Sequence, residues 1–111
     1  MICNPFDVVD VPFPFGDRSQ IKKRKALVLS DNSYNEANSA SILTMITSAH
    51  AGSWHGDITL NEWQAAGLKK PCIVRVKLFT LDNALIIDKV GQITMADRKA
   101  VLRSLKGVLP H

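Results

Sequence analysis

The stretch CIVRVKLF, residues 72–79, carries the clearest alternation in the chain. Val74, Val76 and Leu78 fall on one face and Arg75 and Lys77 on the other, the period-two pattern of a half-buried strand. Downstream, residues 80–84 read as a turn and residues 85–94 (LIIDKVGQIT) as a further strand. Upstream, Ala40–Ser48 (ASILTMITS) is mostly apolar. Residues 25–30 (KALVLS) form a short unbroken apolar run that suits a strand covered on both faces. Residues 6–13 (FDVVDVPF) are rich in Val and Phe and read as the first strand. Pro12 and Pro14 should draw its end out of the sheet, because proline cannot donate to a ladder. A brief extended piece is expected over residues 57–60.

The connections carry turn chemistry. Residues 13–22 (FPFGDRSQIK) make a loop that is long for a hairpin, and residues 31–39 (DNSYNEANS) read as a turn-rich connector. Residues 49–56 make another loop. Residues 61–67 (NEWQAAG) predict a short mid-chain helix, capped by Asn61 and ended by Gly67. Near the end the period changes. Val101, Leu102, Leu105, Val108 and Leu109 follow the stripe of an amphipathic helix, with Thr94 and Asp97 close to a capping box and Gly107 and Pro110 as stops. Several strands and one substantial terminal helix predict a mainly β domain of the α+β type, most simply closed as a small, strongly bent barrel.

The chain has 111 residues, one domain's worth, so residues 1–111 are read as a single domain. Apolar residues make up 46%, which excludes wholesale disorder, and no apolar run approaches the roughly 18 residues of a membrane span. The net charge of +4 fits a binder of something acidic, nucleic acid or an acidic protein tail. Cys3 and Cys72 stand alone, outside any Cys/His cluster, which fits a reduced protein and leaves no zinc motif. Residues 1–5 lack the basic and apolar regions of a signal peptide, so a cytoplasmic location is expected.

Three groups of residues could carry chemistry. Arg18, Lys22, Lys23, Arg24 and Lys25 form a basic run where a loop becomes apolar strand. It is either a solvated loop face or a phosphate-binding edge, and Arg24 is best placed for a two-pronged grip on phosphate. Ile46-Thr47-Ser48, with His50 close behind, ends an apolar strand. Its hydroxyls either face a ligand or bond local backbone. Arg75 and Lys77 share one strand face, either solvent or part of a basic groove. Phe13, Phe15, Trp54, Trp63 and Phe79 are aromatics near loops and strand ends, useful for stacking bases or simply for the core. There is no nucleophile elbow, P-loop, dinucleotide motif or His cluster. RNA cleavage asks less of a protein, because the substrate brings its own nucleophile, the 2′-OH.

Six segments in order resemble the PemK/MazF family of toxins from bacterial type II toxin–antitoxin systems. They are residues 7–15 (DVVDVPFPF), 23–30 (KRKALVLS), 46–48 (ITS), 54–58 (WHGDI), 66–71 (AGLKKP) and 77–82 (KLFTLD), and together they reach over residues 5–108. The resemblance implies an SH3-like β-barrel with a C-terminal helix, acting as a homodimer. It implies a metal-independent, cofactor-free, sequence-specific endoribonuclease that cuts single-stranded RNA, mostly mRNA, and is silenced by a cognate acidic antitoxin. Carried over, Arg24 is the catalytic cation, as proton donor or transition-state stabiliser. Thr47 holds and polarises the scissile phosphate. Phe15, Arg18, Lys22, Lys25, Ser48, His50 and Lys77 are the candidate substrate-binding residues around them. Lys25 stands where the family usually has proline, and Val76-Lys77 where many members have Asp-Gln. Two other classes use a similar barrel: a CcdB-like inhibitor that binds DNA gyrase, and an RNA-binding module without cleavage.

Overall fold

The computed structural model describes residues 1–13 and 22–110. The strands are β1 (Asp7–Phe13), β2 (Lys22–Val28), β3 (Ala40–Ser48), β4 (Ile58–Thr59), β5 (Cys72–Asp82) and β6 (Asp88–Gln92). Helix α1 (Asn32–Asn38) joins β2 to β3, and α2 (Met95–Val108) follows β6. The strands form one antiparallel sheet in the order β4-β5-β3-β2-β1-β6. It curls into a half-barrel, the mainly β architecture expected.

Both sheet faces are covered, as the unbroken apolar run in β2 predicts. Val8, Leu27, Ile46 and Val74 point to one cluster with Leu60, Ala66, Leu68, Ile93 and Val101. Val9, Val11, Ala26, Val28 and Leu43 point to the other, with Cys3, Leu81 and Ile86. Burying each large aliphatic side chain contributes roughly 1.5–3 kcal/mol.

The helices depart from the sequence expectation. Residues 31–39 hold α1 rather than a connector. Asp31 caps it, its carboxylate accepting from the Tyr34 N–H at 2.9 Å. Asn35, fully buried, donates to the carbonyls of Cys3 at 3.0 Å and Ser30 at 3.1 Å. This polar helix is fixed by hydrogen bonds rather than by an apolar stripe. Residues 61–67 form successive turns, not a helix. The carboxylate of Asp97 accepts from the N–H groups of Asn61 (3.2 Å) and Glu62 (3.0 Å), so the cap comes from α2 instead of Asn61. Gly67 ends the segment with φ +86°, as its position predicts. Thr94 caps α2, but Gly107 lies inside the helix. Of the expected stripe only Val101 is fully buried, with Leu105 packed beside it, while Leu102, Val108 and Leu109 are exposed. No helix among the described residues is long and apolar enough to cross a membrane.

Beyond Thr44 the pairing of β3 with β5 shifts. Thr44 faces Leu78 but Met45 faces Arg75, leaving Val76 and Lys77 as a bulge in β5. The fully buried Thr44 hydroxyl donates to the Arg75 carbonyl and accepts from the Lys77 N–H at 3.1 Å. It therefore serves the backbone groups that the bulge takes out of the ladder.

Two predictions follow from this packing. Thr44→Val keeps the shape but strands those groups, and chemical denaturation should show a loss of about 1–3 kcal/mol. A Cβ on Gly91 would lie 2.2 Å from the Ala66 carbonyl oxygen, whereas one on Gly107 meets nothing within 4 Å. Gly91→Ala should cost about 1–3 kcal/mol by overpacking, while Gly107→Ala should stabilise by about 0.5–1 kcal/mol. Equal effects in thermal melts would contradict the close approach of β6 to the turn segment.

Candidate active site between strands β2 and β3

The ladder between β2 and β3 runs over Val28↔Leu43, Leu27↔Thr44 and Ala26↔Met45 and ends there. β3 continues with β5 as far as Ser48↔Cys72, and β2 continues with β1 as far as Lys22↔Phe13. The two strands thus separate at the level of the Thr44 bulge. Carrying their register onward places Lys25 opposite Ile46, Arg24 opposite Thr47 and Lys23 opposite Ser48. Those six residues line a cleft of about 400 Å³, together with Lys70 and Cys72.

Four cations therefore gather around this cleft. Lys25 is paired, its ammonium 2.5 Å from Asp10 Oδ1 on β1. Arg24 is exposed, and no acidic side chain among the described residues pairs with it. Lys23 and Lys70 are likewise exposed. Ser48 Oγ accepts from the His50 N–H at 3.3 Å, a local backbone bond. Cys72 is buried, its thiol donating to the Lys70 carbonyl at 3.3 Å. Burial pushes the Cys72 thiol pKa up, against a smaller lowering by Lys70 and Lys25. A second cavity of about 400 Å³ shares Lys25, Lys70 and Cys72 and adds Asp10, Leu68 and Val90, so the polar cleft continues into a more apolar slot.

The structure thus gathers Arg24, Thr47, Lys25 and Ser48. Lys22 opens β2, exposed and outside the cleft lining. His50 is exposed beyond the end of β3 and does not line the cleft either. Lys77 lies on β5, with its ammonium 4.3 Å from the Trp54 ring centroid. Phe15 and Arg18, and most of the loop over 13–22, lie outside the described residues. Lys23, a member of the basic run, also lines the cleft, and Lys70 and Cys72 join it without a motif in the sequence to mark them. The signal for Lys70 was its place just before β5, whose first residue pairs with Ser48.

Arg75 is not a groove cation. Its guanidinium donates to Asp57 from Nε at 3.1 Å and Nη2 at 2.9 Å, and Nη2 also reaches the Gly52 carbonyl at 3.2 Å. The Asp57 hydrogen bonds raise its pKa further. The pair clamps the loop before β4 onto β5. Among the described residues no group of three or more His, Cys, Asp or Glu side chains is placed to hold a metal ion.

A curled sheet of this architecture recurs in solved structures. MazF from Deinococcus radiodurans is 20% identical, with a TM-score of 0.74 over 97% of this chain and 96% of that one. A mycobacterial endoribonuclease solved with its cognate antitoxin is 16% identical, with a TM-score of 0.74 over 99% and 97%. The Mycobacterium tuberculosis toxin MazF-mt6 is 13% identical, with a TM-score of 0.73 over 91% and 93%. Comparison with functionally curated proteins gives no match. The model of the PemK-like, MazF-like toxins of type II toxin–antitoxin systems matches residues 4–109, and the chain belongs to that family.

The buried thiols set a pH dependence. In the unfolded chain a cysteine ionises near about 8.5. Burial makes folded Cys72 hold its proton to higher pH, as it does for Cys3. The folded state then binds protons more tightly above that value, so stability falls as pH rises through the folded pKa. Unfolding free energies measured from neutral to alkaline pH should show this decline, and Cys72→Ala should make it shallower.

Proposed function

We propose that this toxin is a metal-independent endoribonuclease that cleaves single-stranded RNA at the cleft between β2 and β3. The observation that carries the reading is the placement of Arg24 and Thr47 across one cleft on register-matched positions of rigid strands. The substrate 2′-oxygen attacks the adjacent phosphorus while the bond to the 5′-oxygen breaks. The products are a 2′,3′-cyclic phosphate and a 5′-hydroxyl. The proton lost by the 2′-OH passes to solvent, and the leaving oxygen gains one. Arg24 stabilises the charge that builds on the phosphoryl oxygens, and Thr47 donates a hydrogen bond to one of them. Lys23 and Lys70 hold the flanking backbone phosphates as point charges.

The same cations suit an acidic antitoxin segment that folds over the cleft and blocks RNA. The reading includes a homodimer in the cytoplasm and a preference for particular RNA sequences, with mRNA as the main target.

Arg24 is exposed and has no acidic partner among the described residues, so Arg24→Ala should keep the stability of the parent. Its RNA cleavage should fall by about 10²–10³. Product ends are read by mass spectrometry, and chelator should leave the rate unchanged. Near-normal cleavage by the folded variant overturns the assignment of Arg24. A metal requirement or 3′-hydroxyl ends overturn the mechanism.

A further inference from the structure

Trp54 is an aromatic that the core does not absorb: it is 44% exposed. Its polar groups are nevertheless tied down. The indole Nε1–H donates to the Val76 carbonyl at 3.3 Å, and the backbone N–H donates to Asp57 Oδ2 at 3.0 Å. Asp57 in turn donates its own N–H to the Trp54 carbonyl at 3.1 Å and receives the two-pronged Arg75 guanidinium. With the indole nitrogen and the backbone anchored inward, apolar ring surface remains exposed on a fixed support. Lys77 places a cation 4.3 Å from the ring centroid.

The loop that carries the ring is tied, through Asp57, to an arginine on the sheet face that borders the cleft. Thr47 and Met45 are two residues apart on β3 and share a face. Arg75 is opposite Met45, and Ile73 is opposite Thr47. Arg75 and its Asp57–Trp54 attachment therefore flank the face that Arg24 and Thr47 present. Val76, which accepts from the indole, is three residues along β5 from Ile73, about 10 Å at strand spacing. An oligonucleotide held at the cleft can reach it.

We propose that Trp54 and Lys77 form a nucleotide subsite beside the cleft, the indole stacking a base of single-stranded RNA and the ammonium meeting a neighbouring phosphate. The site rests on the ribonuclease reading and adds a stacking platform to it. Every base has a π-face, so stacking contributes affinity with little sequence preference, and an ordered ring loses little freedom on binding. The Arg75–Asp57 clamp explains why a cation on this strand faces a carboxylate rather than solvent: it holds the platform.

The test uses a fluorescein-labelled, mixed-sequence 2′-O-methyl oligoribonucleotide, which lacks the attacking hydroxyl and stays uncut. Fluorescence anisotropy should show binding weakened about 10-fold or more by Trp54→Ala and largely restored by Trp54→Phe. In Trp63→Phe, Trp54 is the remaining tryptophan of the two, and its emission should be quenched as the oligonucleotide binds. Unchanged affinity in Trp54→Ala, with the parent binding the probe and cutting RNA, overturns the subsite and leaves the ribonuclease reading standing. A parent that neither binds the probe nor cuts RNA overturns both. Normal probe binding by Trp54→Ala together with lost antitoxin binding assigns the ring to a protein partner and also overturns the subsite.

Discussion

The Thr44 hydroxyl and the β5 bulge it serves are the constraint on which the working end of this protein depends. A central strand in a regular sheet keeps both neighbours along its length. Here β3 stays with β5 to its end, but only after a two-residue slip accommodated at Thr44. At that same level β3 parts from β2. A bulge bends its strand and sharpens the local twist, which is how a sheet can remain paired on one side while opening on the other. The result is an internal edge. Residues 23–25 and 46–48 each keep one strand neighbour and turn their other side to the cleft. Backbone groups at such an edge add to the side chains available to an anion.

Rigidity on both walls follows from the same arrangement. β2 is held by β1 through Lys22↔Phe13, and Lys25 is tied to Asp10 across that pair. β3 is held by β5. Catalytic groups on paired strands keep their geometry better than groups on loops, because the pairing fixes the backbone before substrate arrives. The run at 22–25 reads in sequence as the point where loop becomes strand. The structure instead makes all of it strand, so Arg24 is presented by an ordered backbone.

What could be read from the chain follows from which force fixes each element. The strands are legible because burial on one or both faces writes itself into alternation or into unbroken apolar runs, as in Ala40–Ser48. Helix α1 is not legible that way. Its central residue, Asn35, is buried through hydrogen bonds to nearby Ser30 and to Cys3, a partner 32 residues away in sequence. The segment 61–67 fails in the opposite sense. Its local signals favour a helix, yet Asp97 from α2 takes up its first N–H groups and Gly91 brings β6 against Ala66, a tertiary override of local propensity. The stripe on α2 was correctly periodic, but the half-barrel covers only the side that Val101 and Leu105 present.

The site divides the cations in a way that no composition can show. Arg75 and Lys25 both lie in attractive basic patterns, but each faces a carboxylate brought close by strand pairing or by a clamped loop. A paired cation adds little to the field outside it. Lys23, Arg24 and Lys70 face no carboxylate among the described residues, and they surround the same cleft. The net charge of +4 is therefore not spread evenly in its effect. Internal pairing mutes Arg75 on β5 and Lys25 at the β1–β2 contact, while three cations without a carboxylate partner among the described residues stand together where the strands part. On the proposed ribonuclease function, an RNA chain would be drawn to the place where Thr47 and Arg24 can meet its phosphates, and an acidic inhibitor would be drawn to the same cations.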